Sequence, residues 1–463
     1  MIVSRPLSSP TRISIRPEDA RPQETMWISG ARIGLVALLC AAPLAFGAVQ
    51  VWAWSALAVV SVGLLFFWGI GCACQKALTI RWSPLYAPAL LFLLLCVIQF
   101  LVGLSLDKVG TREALIKLTT YLLLFFLGGQ LFATASPRVW RGFGLIVTVY
   151  AFALSVFAIA QFFSSPDLLY WSIKPRWGGA IFGPYVNRSD YAGLMEMLLP
   201  IAGAYLLGQT GRHPLRWLGV FAVLVAFASV ELSGARGGLI SLLIEMGLFG
   251  VFFGRSRLFG RRNTATAAAV AIVSVVALLL WIAPQEILSR YQTLVKSPDL
   301  TLGTRTQMAM GAFRLFRDNP WIGTGIGSLE TAYPRYQSVF PEGVIQHAHN
   351  DFVELMAETG IVGLMLALVG LQIFFATAFR KVKLKFDHLA DWIRLGSAVG
   401  CCGVLAHSFT DFNLHIPANA AWFVACMAIS QPHTLSKCKS LINDRTPLSR
   451  IHSDANSLSP AKG

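Results

Sequence analysis

Runs of about twenty apolar residues recur along this chain, and no other feature limits its fold so strongly. "PALLFLLLCVIQFLVGL" (88–104) and "IVGLMLALVGLQIFFATA" (361–378) are two of them. Coiled as a helix, such a run crosses roughly 30 Å of hydrocarbon. Within hydrocarbon no water can satisfy a backbone N–H or C=O, so a segment there is a helix or part of a closed barrel. The sequence lacks the alternating ten-residue strands of a barrel. The expected fold class is therefore an all-α polytopic membrane protein. Composition agrees: 55% of the 463 residues are hydrophobic, 13% are charged, and the mean hydropathy is +0.61.

Hydropathy predicts about twelve transmembrane helices. They are placed at 31–49, 51–71, 84–105, 113–134, 141–163, 190–208, 214–232, 237–254, 265–283, 352–378, 394–412 and 415–431. The first apolar run lacks a signal-peptide cleavage site and reads as a retained span. With the N-terminus in the cytoplasm, 25 of the 38 lysines and arginines fall inside and 13 outside, the asymmetry that orients membrane proteins. The same asymmetry accounts for the net charge of +15 without a nucleic-acid partner. The chain then divides into a cytoplasmic tail (1–28), spans one to nine (29–283), a large external loop with an amphipathic helix (284–351), spans ten to twelve (352–431), and a cytoplasmic tail (432–463) of disorder-prone composition. None of the eight cysteines lies in the long polar loops, so no disulfide framework is expected.

The external segments carry the chemistry. In "GAIFGPYVNRSDYAGLMEMLLP" (179–200) Asn187 or Ser189 is positioned to cap a span, Arg188 stands at the outer surface, and Glu196 lies about two turns into the span. An acid inside a membrane is a functional candidate, against the plainer reading of a buried Glu paired with an Arg; Glu245 has the same two readings. In "LSGARGGLISLLIEM" (232–246) Arg236 occupies a turn whose glycines admit close approach. In "LGTRTQMAMGAFRLFRDNPWIGTGIGSLE" (302–330) Thr304 is placed to cap a helix over about 305–317, with Arg305 in its first turn. Met308, Ala312, Leu315 and Phe316 share one face, so this helix is amphipathic. Gly323, Gly325 and Gly327 suit tight turns better than phosphate binding, since no strand precedes them.

"IQHAHNDFVELMAETG" (345–360) closes the loop. Asp351 and Glu354 read as a capping-box variant opening the next span. His347 and His349, two apart, cannot share a helix face. As metal ligands they would need Asp351 as a third partner, so three readings stand: a metal site, a surface pair, or a His349 that handles protons with Asn350 beside it. Arg188, Arg236, Arg305 and His349 all fall on the outer side. Arginines neutralise phosphate without a metal, and histidine suits proton transfer near neutral pH. Together they predict a lipid-linked pyrophosphate as substrate.

With these motifs, and with "HSFTDFNLHIPANA" (407–420), the sequence resembles the O-antigen ligase/polymerase superfamily over about residues 140–430. The resemblance implies a metal-independent glycosyltransferase of the bacterial inner membrane. Its active site faces the periplasm, so the 284–351 loop becomes a periplasmic loop. Its donor is an undecaprenyl-pyrophosphate-linked glycan, and its acceptor a hydroxyl on a glycan, lipid or protein. No cofactor is implied; membrane lipid and a polysaccharide chain-length regulator are candidate partners. Arg236 and Arg305 would handle the pyrophosphate and His349 would be the catalytic histidine. Arg188, Asn187, His347, Asn350 and Glu196 are the candidate substrate-binding residues. Where many relatives carry an Asn-His pair after the arginine, this chain has Ser189-Asp190, so the resemblance assigns that segment no catalytic role. The work expected is O-antigen or exopolysaccharide polymerisation or ligation, with protein O-glycosylation within the same superfamily as an alternative. A transporter is the alternative from another class, but the halves show no repeat and the 284–351 loop has no first-half counterpart. A metal-dependent hydrolase is a third.

Overall fold

The computed structural model describes residues 25–75, 80–175, 180–209, 215–255, 299–338, 345–379, 386, 388–431 and 434–435. They form twelve principal helices: α1 (Met26–Leu44), α2 (Val51–Cys74), α3 (Tyr86–Leu101), α4 (Lys108–Phe132), α5 (Pro137–Ser164), α6 (Arg188–Gly208), α7 (Leu215–Ser233), α8 (Arg236–Arg255), α9 (Asp299–Asp318), α10 (Asp351–Ala378), α11 (Leu389–His407) and α12 (Pro417–Ser430). Local chemistry sets several starts. Asp107 caps α4 by accepting from Val109 N and Gly110 N. Ser136 caps α5, with Pro137 as its first residue. Asn187 caps α6 through Ser189 N, and Pro417 opens α12.

Eight described helices are long and apolar enough to cross a membrane: α1, α2, α4, α5, α6, α7, α10 and α11. α3 and α12 are apolar but shorter. The chain is thus a multi-pass, all-helical membrane protein. The expected span at 265–283 lies outside the described residues, as do most of both tails. At the start of the second tail, Thr434–Leu435 (β2) pairs antiparallel with Arg81–Trp82 (β1). The eleventh span, expected at 394–412, instead occupies Leu389–His407. Within it the Arg394 guanidinium lies 5.3 Å from the Trp140 ring centroid and near Asp391, so the helix carries the charge without a break. At the other end Ser408, Thr410, Asp411 and Asn413 turn out of the helix.

α6 is the central helix, buried over nearly its whole length. α11 lies closest to it, because a side chain at Gly396 or Gly400 would come within 2.5 Å of Pro200 O or 2.9 Å of Met197 Cα. α8 and α12 flank α11, α5 and α7 flank α6, and α10 sits at the periphery against α3 and α9.

The loops that the charge count places outside gather at one end. Leu106 N donates to Thr324 O, Thr331 Oγ1 to Asp107 Oδ2, and Asp351 N to Ser408 O. The three loop glycines do make tight turns, with φ of +69°, +102° and +74°. They dock where α10 kinks at Gly360: Thr324 N reaches Ala357 O, and Gly325 N reaches Glu358 O. The amphipathic helix is longer than expected: α9 starts at Asp299, so Thr304 lies inside it and is not its cap. Its predicted face holds. Met308, Ala312 and Leu315 pack against Leu329, Tyr333, Ala348 and Ala357. α9 is therefore folded over the start of α10.

Candidate functional site

The segment from 408 to 416, between α11 and α12, organises the polar end. Asp411 lies within it, fully buried. One carboxylate oxygen receives Arg305 Nη1 at 3.2 Å and the other faces His349 Nδ1 at 3.2 Å. Arg305 also donates to Thr410 O at 2.7 Å. A carboxylate only accepts, so the His349 proton is on Nδ1 and Nε2 is left as the basic nitrogen. Burial alone would raise the Asp411 carboxyl. The hydrogen bond from His349 and the charge of Arg305 outweigh that and hold it well below the usual carboxylate range. His349 has a left-handed backbone, φ +51°. Asn350 follows as the α10 cap, accepting from Phe352 N and Val353 N and donating to Phe409 O.

Asp351 and Glu354 correct the sequence reading. They do not form a capping box; Asn350 is the cap, and both acids turn to histidines. Glu354 accepts from His347 Nδ1 at 2.8 Å and from Ala348 N at 2.8 Å. His415 stands between them, Nδ1 at 2.7 Å from Asp351 and Nε2 at 3.2 Å from Glu354. Burial would depress the His415 pKa, but the Glu354 charge and the Asp351 hydrogen bond push it up to about 10. His415 is thus an imidazolium clamped by two carboxylates. Phe412 lies between the two other histidines, stacked on His347 (centroids 4.5 Å apart) and edge-on to His349 (4.8 Å).

His347, Glu354 and His415 place ligand atoms within 4.8 Å of one another and are the described residues that could hold a metal. The set differs from the His347, His349 and Asp351 weighed from sequence. Its separations are hydrogen-bond lengths, and His415 already gives both ring protons to carboxylates, so an ion network accounts for the geometry.

Of the remaining expected residues, Arg188 is the first residue of α6 and Asn187 its cap. Arg236 is the first residue of α8. The next residue, Gly237, lies so close to His407 and Thr410 that a Cβ there would sit 2.4 Å from the imidazole and 2.8 Å from Thr410 Oγ1. The first turn of α8 therefore abuts the Asp411 segment. Glu196 is fully buried and pairs with His407 Nδ1 at 2.7 Å, not with an arginine. Through His407 it reaches the Asp411 segment, and it is not among the residues that line the cavity beside the histidines. Glu245 is also buried, with no partner for Oε1 among the described residues.

A cavity of about 1140 Å³ adjoins the histidines, running between α3, α4, α10 and α12. His347, His349, Asp351 and His415 line its polar end and Leu118, Phe125 and Leu371 its apolar length. Sequence reasoning missed Asp411, His407 and His415 as individual residues. The signal was present: they recur every four residues in a polar segment between two apolar spans.

No curated protein matches the chain. The model of a family described as O-antigen ligase matches residues 220–368. That segment contains Arg236, Arg305, His347, His349 and Glu354, and it ends inside α10. Residues 408–416, which join these side chains into one site, lie beyond it. Over residues 220–368 the chain is thus similar to the O-antigen ligase family.

Proposed function

We propose that the protein is a membrane glycosyltransferase of the O-antigen ligase/polymerase type. It takes an undecaprenyl-pyrophosphate-linked glycan as donor, with its site on the periplasmic face of the inner membrane. The observation that carries this reading is the Arg305–Asp411–His349 arrangement, in which one buried carboxylate fixes both a guanidinium and an imidazole. His349 Nε2 takes the proton of the acceptor hydroxyl as its oxygen attacks the anomeric carbon. The bond from that carbon to the pyrophosphate oxygen breaks, and polyprenyl pyrophosphate departs. Arg305 and Arg236, with Arg188 nearby in the fold's outer end, neutralise the charge that develops on it. Pyrophosphate leaves without protonation, so the step asks for one base and no metal.

Polymerase and ligase differ in what accumulates without the enzyme. The test is the size profile of lipid-linked glycan in cells lacking the protein, rescued with wild type or His349→Ala. Single repeat units that only wild type extends mark a polymerase; full-length polymer stranded on the lipid carrier marks a ligase. An unchanged profile in the deletion overturns glycosyl transfer.

A further inference from the structure

We propose that His407, wedged against Gly237, is a positioning residue: it fixes the spacing of the segments that carry Arg236 and Arg305, and so selects a pyrophosphate over a monophosphate. This rests on the donor reading above and adds what sets its phosphate specificity.

α8 opens with Arg236-Gly237-Gly238. Glycine is a poor helix former, and neither of these two has the positive φ that would call for one. Space is what they supply. A Cβ at Gly237 would lie 2.4 Å from both Cδ2 and Nε2 of His407 and 2.8 Å from Thr410 Oγ1. A Cβ at Gly238 would lie 2.8 Å from the Ala192 Cβ and 3.4 Å from Glu196 Oε1. The start of α8 is therefore seated on the His407–Glu196 pair, with one glycine over each partner.

The His407 ring is a fixed seat. Glu196 holds its Nδ1 at 2.7 Å, and both side chains are fully buried. Nε2 has no hydrogen-bond partner among the described residues, so the ring offers α8 a surface and not a bond. The same residue governs the other arginine. α11 ends at His407, and its carbonyl accepts from Thr410 N at 2.8 Å, Asp411 N at 3.1 Å and Thr410 Oγ1 at 3.1 Å. That turn presents Thr410 O and the Asp411 carboxylate to Arg305. His407 thus meets the residue after Arg236 with its ring, and holds the turn that binds Arg305 with its carbonyl.

Close-packed groups pass a displacement on, so a change at this contact alters the separation of the two arginine-bearing segments. Two guanidinium groups at a set separation can each take one phosphate of a pyrophosphate. A monophosphate fills one of them. Spacing therefore shows in the preference between the two ligands, whereas a loss of charge or of fold weakens both alike.

The experiment measures binding of undecaprenyl pyrophosphate and undecaprenyl monophosphate to the full chain in phospholipid nanodiscs, with a thermal melt of each variant. Wild type should prefer the pyrophosphate by about 10–100-fold, the contribution of one charge-assisted contact. Gly237→Ala, which drives a methyl into the ring, should cut that preference at least fivefold. Adding His407→Asn should restore it to within about twofold, because an asparagine amide reaches Glu196 as Nδ1 does and vacates the space the methyl needs. His407→Asn alone opens a gap under Gly237 and should also cut the preference, so it decides the matter if Gly237→Ala does not fold. An unchanged preference in the single variants, equal losses for both ligands, or a double variant no better than Gly237→Ala would each overturn the spacing role. A wild type that binds neither ligand fails the donor reading itself; a wild type with the preference, and variants that keep it, fail this inference alone.

Discussion

Asp411→Asn isolates the proposed chemistry, because it keeps the shape of the side chain while removing its charge and one of its two acceptor oxygens. The carboxylate makes two charge-assisted contacts of 3.2 Å, to His349 Nδ1 and Arg305 Nη1. Contacts of that kind contribute about 1.5–3 kcal/mol each, so about 3–6 kcal/mol of orientation and charge is at stake. At 1.36 kcal/mol per decade, kcat should fall by about 10²–10⁴. An asparagine can still reach His349 by turning its amide N–H toward Nδ1, but that moves the ring proton to Nε2 and leaves no base facing the acceptor. The assay is transfer from a polyprenyl-pyrophosphate donor by purified protein, with kcat and donor KM measured separately and a thermal melt as control. We expect the loss in kcat, with donor KM changing less because Arg236 and Arg305 remain. An Asn variant within about threefold of wild type, equally stable, would refute the orientation of His349 by Asp411.

The His415 clamp has a stability signature. Its pKa is raised from 6.5 to about 10 in the fold, so its contribution is complete below pH 6.5 and is lost as pH rises through about 10. Thermal melts from pH 6 to 10.5 should show wild type losing stability over that window and His415→Gln staying flatter; parallel curves would remove the clamp. His407→Ala should destabilise the fold by about 3–5 kcal/mol, because it strands Glu196 unpaired in the interior, whereas Glu196→Gln should cost less; equal melting of the two would contradict the pairing. Gly360 has φ +64° and ψ −167°, a region open essentially to glycine, and a Cβ there would lie 2.3 Å from the Trp321 carbonyl carbon. Gly360→Ala should therefore cost about 1–3 kcal/mol from backbone strain alone, and an unshifted melting temperature would show that the kink is not required.

Much of the architecture is determined by the sequence alone, because the bilayer leaves so few solutions. Apolar length dictates helices, and their starts at Asn187, Ser136 and Pro417 follow from local capping chemistry. The amphipathic face of α9 and the turns at Gly323, Gly325 and Gly327 were legible for the same reason: each depends on near neighbours in the chain. What failed was the assignment of polar residues at helix ends. Asp351 and Glu354 have the spacing of a cap, and Glu196 that of an acid awaiting an arginine. Their real partners, His415, His347 and His407, are up to 211 residues away. Arg305 and His349 were legible as chemical types, but their joining through Asp411 was not. A carboxylate 62 residues from one partner and 106 from the other meets both only once α11 ends at His407 and the next nine residues fold under α9 and α10. Local propensity carries no information about such long-range pairing. Only the packing of the helices decides which buried charges face one another, because a charge withdrawn from water must find its partner wherever the fold brings one.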